Sequence, residues 1–198
     1  MNQTMLKPEE IKSKIENAVP GARLVVLRDS FLLENPALLR HVAVFIRDNM
    51  DLRMDYLSCV TGVDYLSFLE SVYHFYSMEK KMGPLVLRVR VDRAHPHVPS
   101  IVPVYRSAEL QEREAYDTLD IRYDGHPDLR RLFLWDEFQG HPLRKDYRQE
   151  DSETLEAEDI SWLDSRGINV PQEFRAKAEE LKKQGKRALA SKEGKEKA

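Results

Sequence analysis

Cysteine is almost missing from this sequence: Cys59 stands alone among 198 residues. One cysteine excludes an internal disulfide and fits a reducing compartment such as the cytoplasm. It also bounds the redox chemistry, because an iron–sulfur cluster takes about four ligands, most of them cysteine. Glycine is sparse as well, with eight residues and none in a G-x-G-x-x-G or G-x-x-x-x-G-K pattern. No dinucleotide or phosphate cradle is therefore written here. No apolar run reaches the roughly 18 residues that a membrane-spanning helix needs. The segment Met1 to Glu10 lacks the positive-then-apolar build of a secretory signal. The net charge of -3 offers no electrostatic pull toward nucleic acid.

What the chain does have is charge, 33% of its residues, beside 41% hydrophobic ones. That balance fits a soluble domain with heavily charged flanks. Ile11 and Ile15 mark a helix from Pro8 to Ala18, stopped by Pro20-Gly21. Arg23 to Leu33 reads as one or two strands. Asn35-Pro36 opens a second helix with the apolar stripe Leu38, Leu39, Val42, Phe45 and Ile46. Three strand-like runs follow, at 56–66, 68–78 and 85–91. In the last, Leu85, Leu87, Val89 and Val91 alternate with Arg88, Arg90 and Asp92, which places one sheet face on a core and the other in water. The expected fold class is α+β, a mainly antiparallel sheet with helices packed on one face.

Residues 94–100 read as a proline-rich loop, and 101–119 as a helix. Beyond Tyr123 the pattern becomes irregular. The expected organisation is a core domain over 1–123, an extended docking segment over 124–170, and a charged helix and tail over 171–198. Gln149 to Asp159 holds six acidic residues and reads as solvated. Gln172 to Ala198 carries seven Lys and two Arg against five Glu, a net of +4. Such a tail reads as a frayed, soluble helix, or as a basic arm for an acidic surface.

One strip stands apart: Glu112-Arg113-Glu114 with Asp117, then Gly125-His126-Pro127-Asp128-Leu129-Arg130-Arg131, then Gly140-His141-Pro142-Leu143-Arg144-Lys145-Asp146-Tyr147. At roughly 100° per residue, Val104, Ala108, Glu112, Ala115 and Leu119 share one helix face. Glu112 then lies on the apolar stripe, with Arg113 and Glu114 pointing away. A buried carboxylate needs a partner, and Arg130, Arg131 and Arg144 are the candidates, since their planar forks suit carboxylates. Glu112 is accordingly expected to anchor one of these arginines.

Three chemistries compete for this strip. His95, His97, His126 and His141 form a candidate zinc set, although each neighbours a proline and no H-x-x-x-H helix supports them. Glu112, Glu114 and Asp117 with two histidines resemble a hydrolase set, yet no serine or cysteine nucleophile stands beside them in a recognisable turn. Docking is the third: long loops of arginine, histidine and proline suit a large polar interface whose partner helps offset their ordering entropy.

In order, interval and residue type the strip resembles the 30 kDa (NuoC-type) subunit family of NADH:quinone oxidoreductase, respiratory complex I. Val63-Asp64-Tyr65 resembles the family too. The chain departs from the usual pattern at Glu109-Leu110-Gln111, where an aromatic is common, and at Thr118-Leu119-Asp120, where an apolar residue and then glycine are common. It departs again at Arg148, where proline is common. The resemblance implies a structural subunit of the peripheral arm with no cofactor of its own, FMN and iron–sulfur clusters residing in partner subunits. It implies contact with the D and B subunits, and a peripheral position on the cytoplasmic side of the cell membrane. The complex passes electrons from NADH to quinone. Glu112 would orient the loops, while Arg130, Arg131, Arg144, Lys145 and Asp146 form ion pairs between chains. Similar chains serve ion-pumping hydrogenases and the plastoquinone-reducing complex.

Overall fold

The computed structural model describes residues 6–147, 157–167, 170–172, 175, 176, 178 and 179. It forms two units, residues 1–147 and 148–198. The boundary expected at 123 falls inside the first unit.

Helix α1 (Pro8–Ala18) buries Ile11 and Ile15, and α2 (Leu39–Asp48) buries Leu39, Val42, Ala43 and Ile46. Asn35 accepts the Ala37 N–H at 3.1 Å and starts a short 3-10 turn that leads into α2. Between the helices run β1 (Leu24–Val26) and β2 (Phe31–Leu33). Three longer strands follow: β3 (Tyr56–Asp64), β4 (Phe68–Ser77) and β5 (Met82–Asp92). The sheet order is β1-β2-β5-β4-β3, antiparallel except where β2 meets β5 in parallel. The α+β class is as expected.

The period-two alternation of β5 has the anticipated consequence, with Arg88 half-buried and Arg90 and Asp92 exposed on the face away from the core. Leu85, Leu87, Val89 and Val91 join Leu69, Tyr73 and Phe75 of β4 in the core. Over β4 that outer face is covered, Glu70 and Val72 being buried. There Glu70 accepts Arg88 at 3.1 Å and Arg90 at 2.6 Å. The Arg90 guanidinium also lies over the Phe68 ring, 4.6 Å from its centroid.

Two elements differ from expectation. His97–Pro99 is not loop but a strand, β6, paired in parallel with β7 (Arg122–Asp124). A proline is tolerated there because this short strand has one neighbour only. The helix expected from residue 101 begins later: turns carry the chain to α3 (Ala108–Leu119), and in those turns Val104, expected on the helical stripe, is half-buried while Ile101 and Tyr105 are buried. Helix α3 lies along β3. Gln111 Oε1 accepts the Val60 N–H and Ser107 Oγ donates to the Leu57 carbonyl at 2.9 Å, which covers an otherwise open sheet edge.

The second unit has its own small cluster of Ile160, Val170 and Ala178, against which Leu163 packs. Its helix α4 (Ala157–Ser165) lies in a stretch expected to be irregular. Arg175 pairs with Asp164 at 2.5 Å. Most of the acidic run at 149–159 and the basic tail from 180 onward lie outside the described residues.

Candidate functional site

The last turn of a helix leaves four carbonyls without helical partners, and the charged strip meets this need at α3. His141 Nδ1 lies 2.9 Å from the Asp117 carbonyl, and the Leu143 N–H donates to Thr118 O at 3.0 Å. Arg144 Nε donates to Leu119 O at 2.8 Å. Basic side chains gather where the helix dipole is negative, an arrangement favoured by its sign. Asp120 ends the helix in the left-handed region, at φ 59°. Aspartate tolerates that conformation better than most residues, which accounts for its presence where glycine is common in the family pattern. Its carboxylate lies 3.3 Å from Arg122, 3.5 Å from Arg144 and 3.7 Å from His141.

Asp117 is the organising residue. Its carboxylate is fully buried. Oδ2 accepts three consecutive backbone N–H groups, from Leu132 at 3.0 Å, Phe133 at 2.7 Å and Leu134 at 3.0 Å, while Oδ1 accepts Arg131 at 2.8 Å. Burial alone would raise its pKa, but these four donors hold it below the usual carboxylate value. Arg131 then reaches the carbonyls of Phe138 at 3.0 Å and Gly140 at 3.2 Å. Arg113, also buried, donates to Arg130 O at 3.2 Å and Arg131 O at 2.9 Å. One carboxylate and two guanidinium groups thus thread a segment that has no regular secondary structure of its own.

Glu112 corrects the sequence reading. It is buried on the apolar stripe as expected, but no arginine of the strip pairs with it. Its partners are Ser100 Oγ at 2.6 Å and the Ile101 N–H at 2.8 Å. Burial pushes its pKa up to about 7, against the lowering effect of those two donors and of Arg40. Glu112 therefore fastens α3 to the turn after β6, and Asp117 fastens the strip. Arg113 points away from that stripe as expected, yet it is covered by residues 130–131, so α3 is buried on two faces. Glu114 is exposed.

Four of the five ionic side chains expected to reach other chains, all but that of Lys145, have ion-pair partners within this one. Arg130 pairs with Asp128 at 2.9 Å, Arg131 with Asp117, and Arg144 with Asp120. Asp146 pairs with Arg93, which also pairs with Asp64. Asp64 is nine-tenths or more buried and accepts the Lys145 N–H at 2.8 Å and the Leu66 N–H at 2.7 Å. Burial opposes ionisation there, yet these donors keep its pKa below the ordinary value. The Asp64–Arg93 clasp ties the far end of the strip to the sheet. Nothing in the sequence around Arg93 advertises it, although Asp64 belongs to the Val63-Asp64-Tyr65 motif.

The histidines separate rather than converge. His126 Nε2 lies 2.9 Å from Glu109 O and its Nδ1 accepts the Asp128 N–H at 3.0 Å. His97 faces Asp124 at 2.9 Å. Among the described residues no group of three or more His, Cys, Asp or Glu is placed to hold a metal ion. Pro127 and Pro142 follow the two histidines, and the glycines before them, Gly125 and Gly140, sit at φ 78° and 84°. At those angles an L side chain is strained, which explains the repeated Gly-His-Pro unit as turn chemistry.

The model of the family described as "Respiratory-chain NADH dehydrogenase, 30 Kd subunit" matches residues 33–153. The chain belongs to that family. It is 37% identical over 139 residues to the C-type subunit of the NADH-quinone oxidoreductase of Chloroherpeton thalassium, with 70% of this chain and 58% of the relative covered. It is 35% identical to the corresponding subunit of Roseiflexus sp. over 73% of this chain and 83% of the relative. A solved chain, the trypsin-resistant fragment (1-134) of Nqo5, is 25% identical over 61% of this chain and 95% of its own, with a TM-score of 0.42. The chain spans less than two thirds of the length of several curated relatives that it matches. Among the described residues no helix is long and apolar enough to cross a membrane.

Proposed function

We propose that this family member serves as a non-catalytic assembly subunit of the peripheral arm of a proton-translocating NADH:quinone oxidoreductase. In this reading electrons pass from NADH through FMN and iron–sulfur clusters held by other subunits. The chain steadies the quinone-reducing module and associates with the membrane, on its cytoplasmic side, only through the complex. Residues 112–147 face partner subunits, chiefly the D and B subunits. The observation that carries the reading is the Asp117 cradle: buried charge is used to shape a segment without regular structure of its own, as a docking surface requires. A single cysteine agrees with the clusters residing elsewhere.

Co-purification from native membranes tests this. The full chain is expected in the complex beside the cluster-bearing subunits, and its deletion is expected to abolish quinone-coupled NADH oxidation. Turnover of a substrate by the isolated chain, or its absence from the complex, would overturn the reading.

A further inference from the structure

Five polar side chains lie in the otherwise apolar core beneath α3: Ser71 and Tyr73 of β4, Ser100 after β6, Glu112 of α3 and Tyr123 of β7. None is more than 1% exposed. Gln111 Oε1 takes the N–H of Val60, the cross-strand partner of Tyr73, which brings Glu112, the next residue of α3, to that part of the sheet. The charge of Glu112 adds to the effect of burial in pushing up the pKa of both phenols, Tyr73 and Tyr123.

The hydrogen bonds of this cluster do not close. The Tyr73 hydroxyl has no partner among the described residues. Ser71 lies near enough to oppose the rise in its pKa, but makes its bond to Tyr123 instead, at 2.9 Å. Those two hydroxyls share that one bond, so whichever donates, the other O–H is left over. Glu112 accepts one bond at each oxygen, from Ser100 and from the Ile101 N–H, and each oxygen keeps a further lone pair. Two donors thus lack an acceptor beside a carboxyl with acceptors to spare.

Leaving a buried hydroxyl unpaired costs more than an ordinary bond gains. Native interiors fill such places with ordered water, which takes two to four polar partners. A metal ion or an ammonium group does not suit the cluster, because neither accepts a bond from a hydroxyl. Water both accepts and donates. We infer that a resident water molecule occupies this core, accepting the O–H of Tyr73 and donating to the carboxyl of Glu112, with the spare O–H of the Ser71–Tyr123 pair as its third partner. It joins β4, β7 and α3 where Glu112 fastens the helix.

A crystal structure of the full-length chain at high resolution tests this. One ordered water is expected within about 3.2 Å of both Tyr73 Oη and a Glu112 carboxyl oxygen. A core without that water, or a Tyr73 hydroxyl bonded directly to Ser71 or Glu112, overturns the inference. Tyr73→Phe gives a second answer by the sign of its effect. If the hydroxyl were idle, removing it would leave the melting midpoint unchanged or raise it. A hydroxyl that holds water is missed, and the midpoint is expected to fall by about 2–4 °C, the loss of one ordinary hydrogen bond in a chain of this length. An unchanged or higher midpoint overturns the inference as well.

Discussion

The carboxylate of Asp117 accepts the N–H of Phe133 at 2.7 Å, sixteen residues away in sequence. This bond and its two neighbours turn an irregular segment into a fixed surface. Asp117→Asn keeps the shape but sets an amide N–H₂ against Arg131 or the backbone donors. Breaking a buried ion pair in this way is expected to cost about 3 kcal/mol. Chemical denaturation followed by circular dichroism measures it. A change below about 0.5 kcal/mol, the size of ordinary surface substitutions, would contradict the cradle.

Glu112 makes stability depend on pH in the opposite sense to the aspartates. Its folded pKa is about 7 and its ordinary value 4.5, so the folded chain keeps a proton that the unfolded chain releases in that window. Stability from this group is present below pH 4.5 and lost as pH rises toward about 7. Arg40, Tyr73 and Tyr123 are the other ionisable groups facing it. Glu112→Gln is expected to shrink the difference in stability between mildly acid and mildly alkaline pH, by an amount on the order of 3 kcal/mol. An unaltered profile would show that Glu112 titrates like an exposed carboxyl.

Asp64 and Asp117 act with the other sign. Both lie below the ordinary 3.8, so their contribution holds above that value and fades as pH falls through their folded pKa. Asp64→Asn is expected to remove part of the acid-side fall and to release Lys145 and Asp146 from the sheet. Trypsin cleavage after Lys145 reports this: faster cutting is expected in the variant, and equal rates would exclude the clasp.

Gly62 of β3 fixes how closely α3 approaches the sheet. A Cβ there would overlap Leu119 Cδ1 and lie 3.0 Å from Ile121 Cδ1. Both residues belong to the core, so Gly62→Ala is expected to destabilise by about 1–3 kcal/mol, the usual cost of overpacking. A thermal melt checks it, and an unchanged midpoint would mean that the contact yields freely.

Local pattern makes much of this legible. The helix at 8–18, the Asn35 start and the alternation of β5 are all written in adjacent residues. Short strand β6 is hidden because Pro96 and Pro99 argue for loop, and its pairing partner at 122–124 is distant in sequence. The burial of Glu112 follows from helical spacing, but its link to Ser100 does not, because the turn that brings them together has no periodic signal. In the sequence Asp117 stands out only as part of a motif. Its role depends on a second layer over α3 that a single-stripe reading of the helix does not contain. Arg93 carries no signal in the sequence at all, since its partners Asp64 and Asp146 are 29 and 53 residues away.

Above all, the strip is shaped by this chain before any partner arrives. Amide hydrogen exchange on the isolated full-length protein measures that most directly. The amides of Leu132, Phe133, Leu134, Leu143 and Lys145 are expected to be protected in the wild type, and those of 132–134 to exchange rapidly in Asp117→Asn while β4 and β5 stay protected. Exchange of these amides at unstructured rates in the wild type would contradict it.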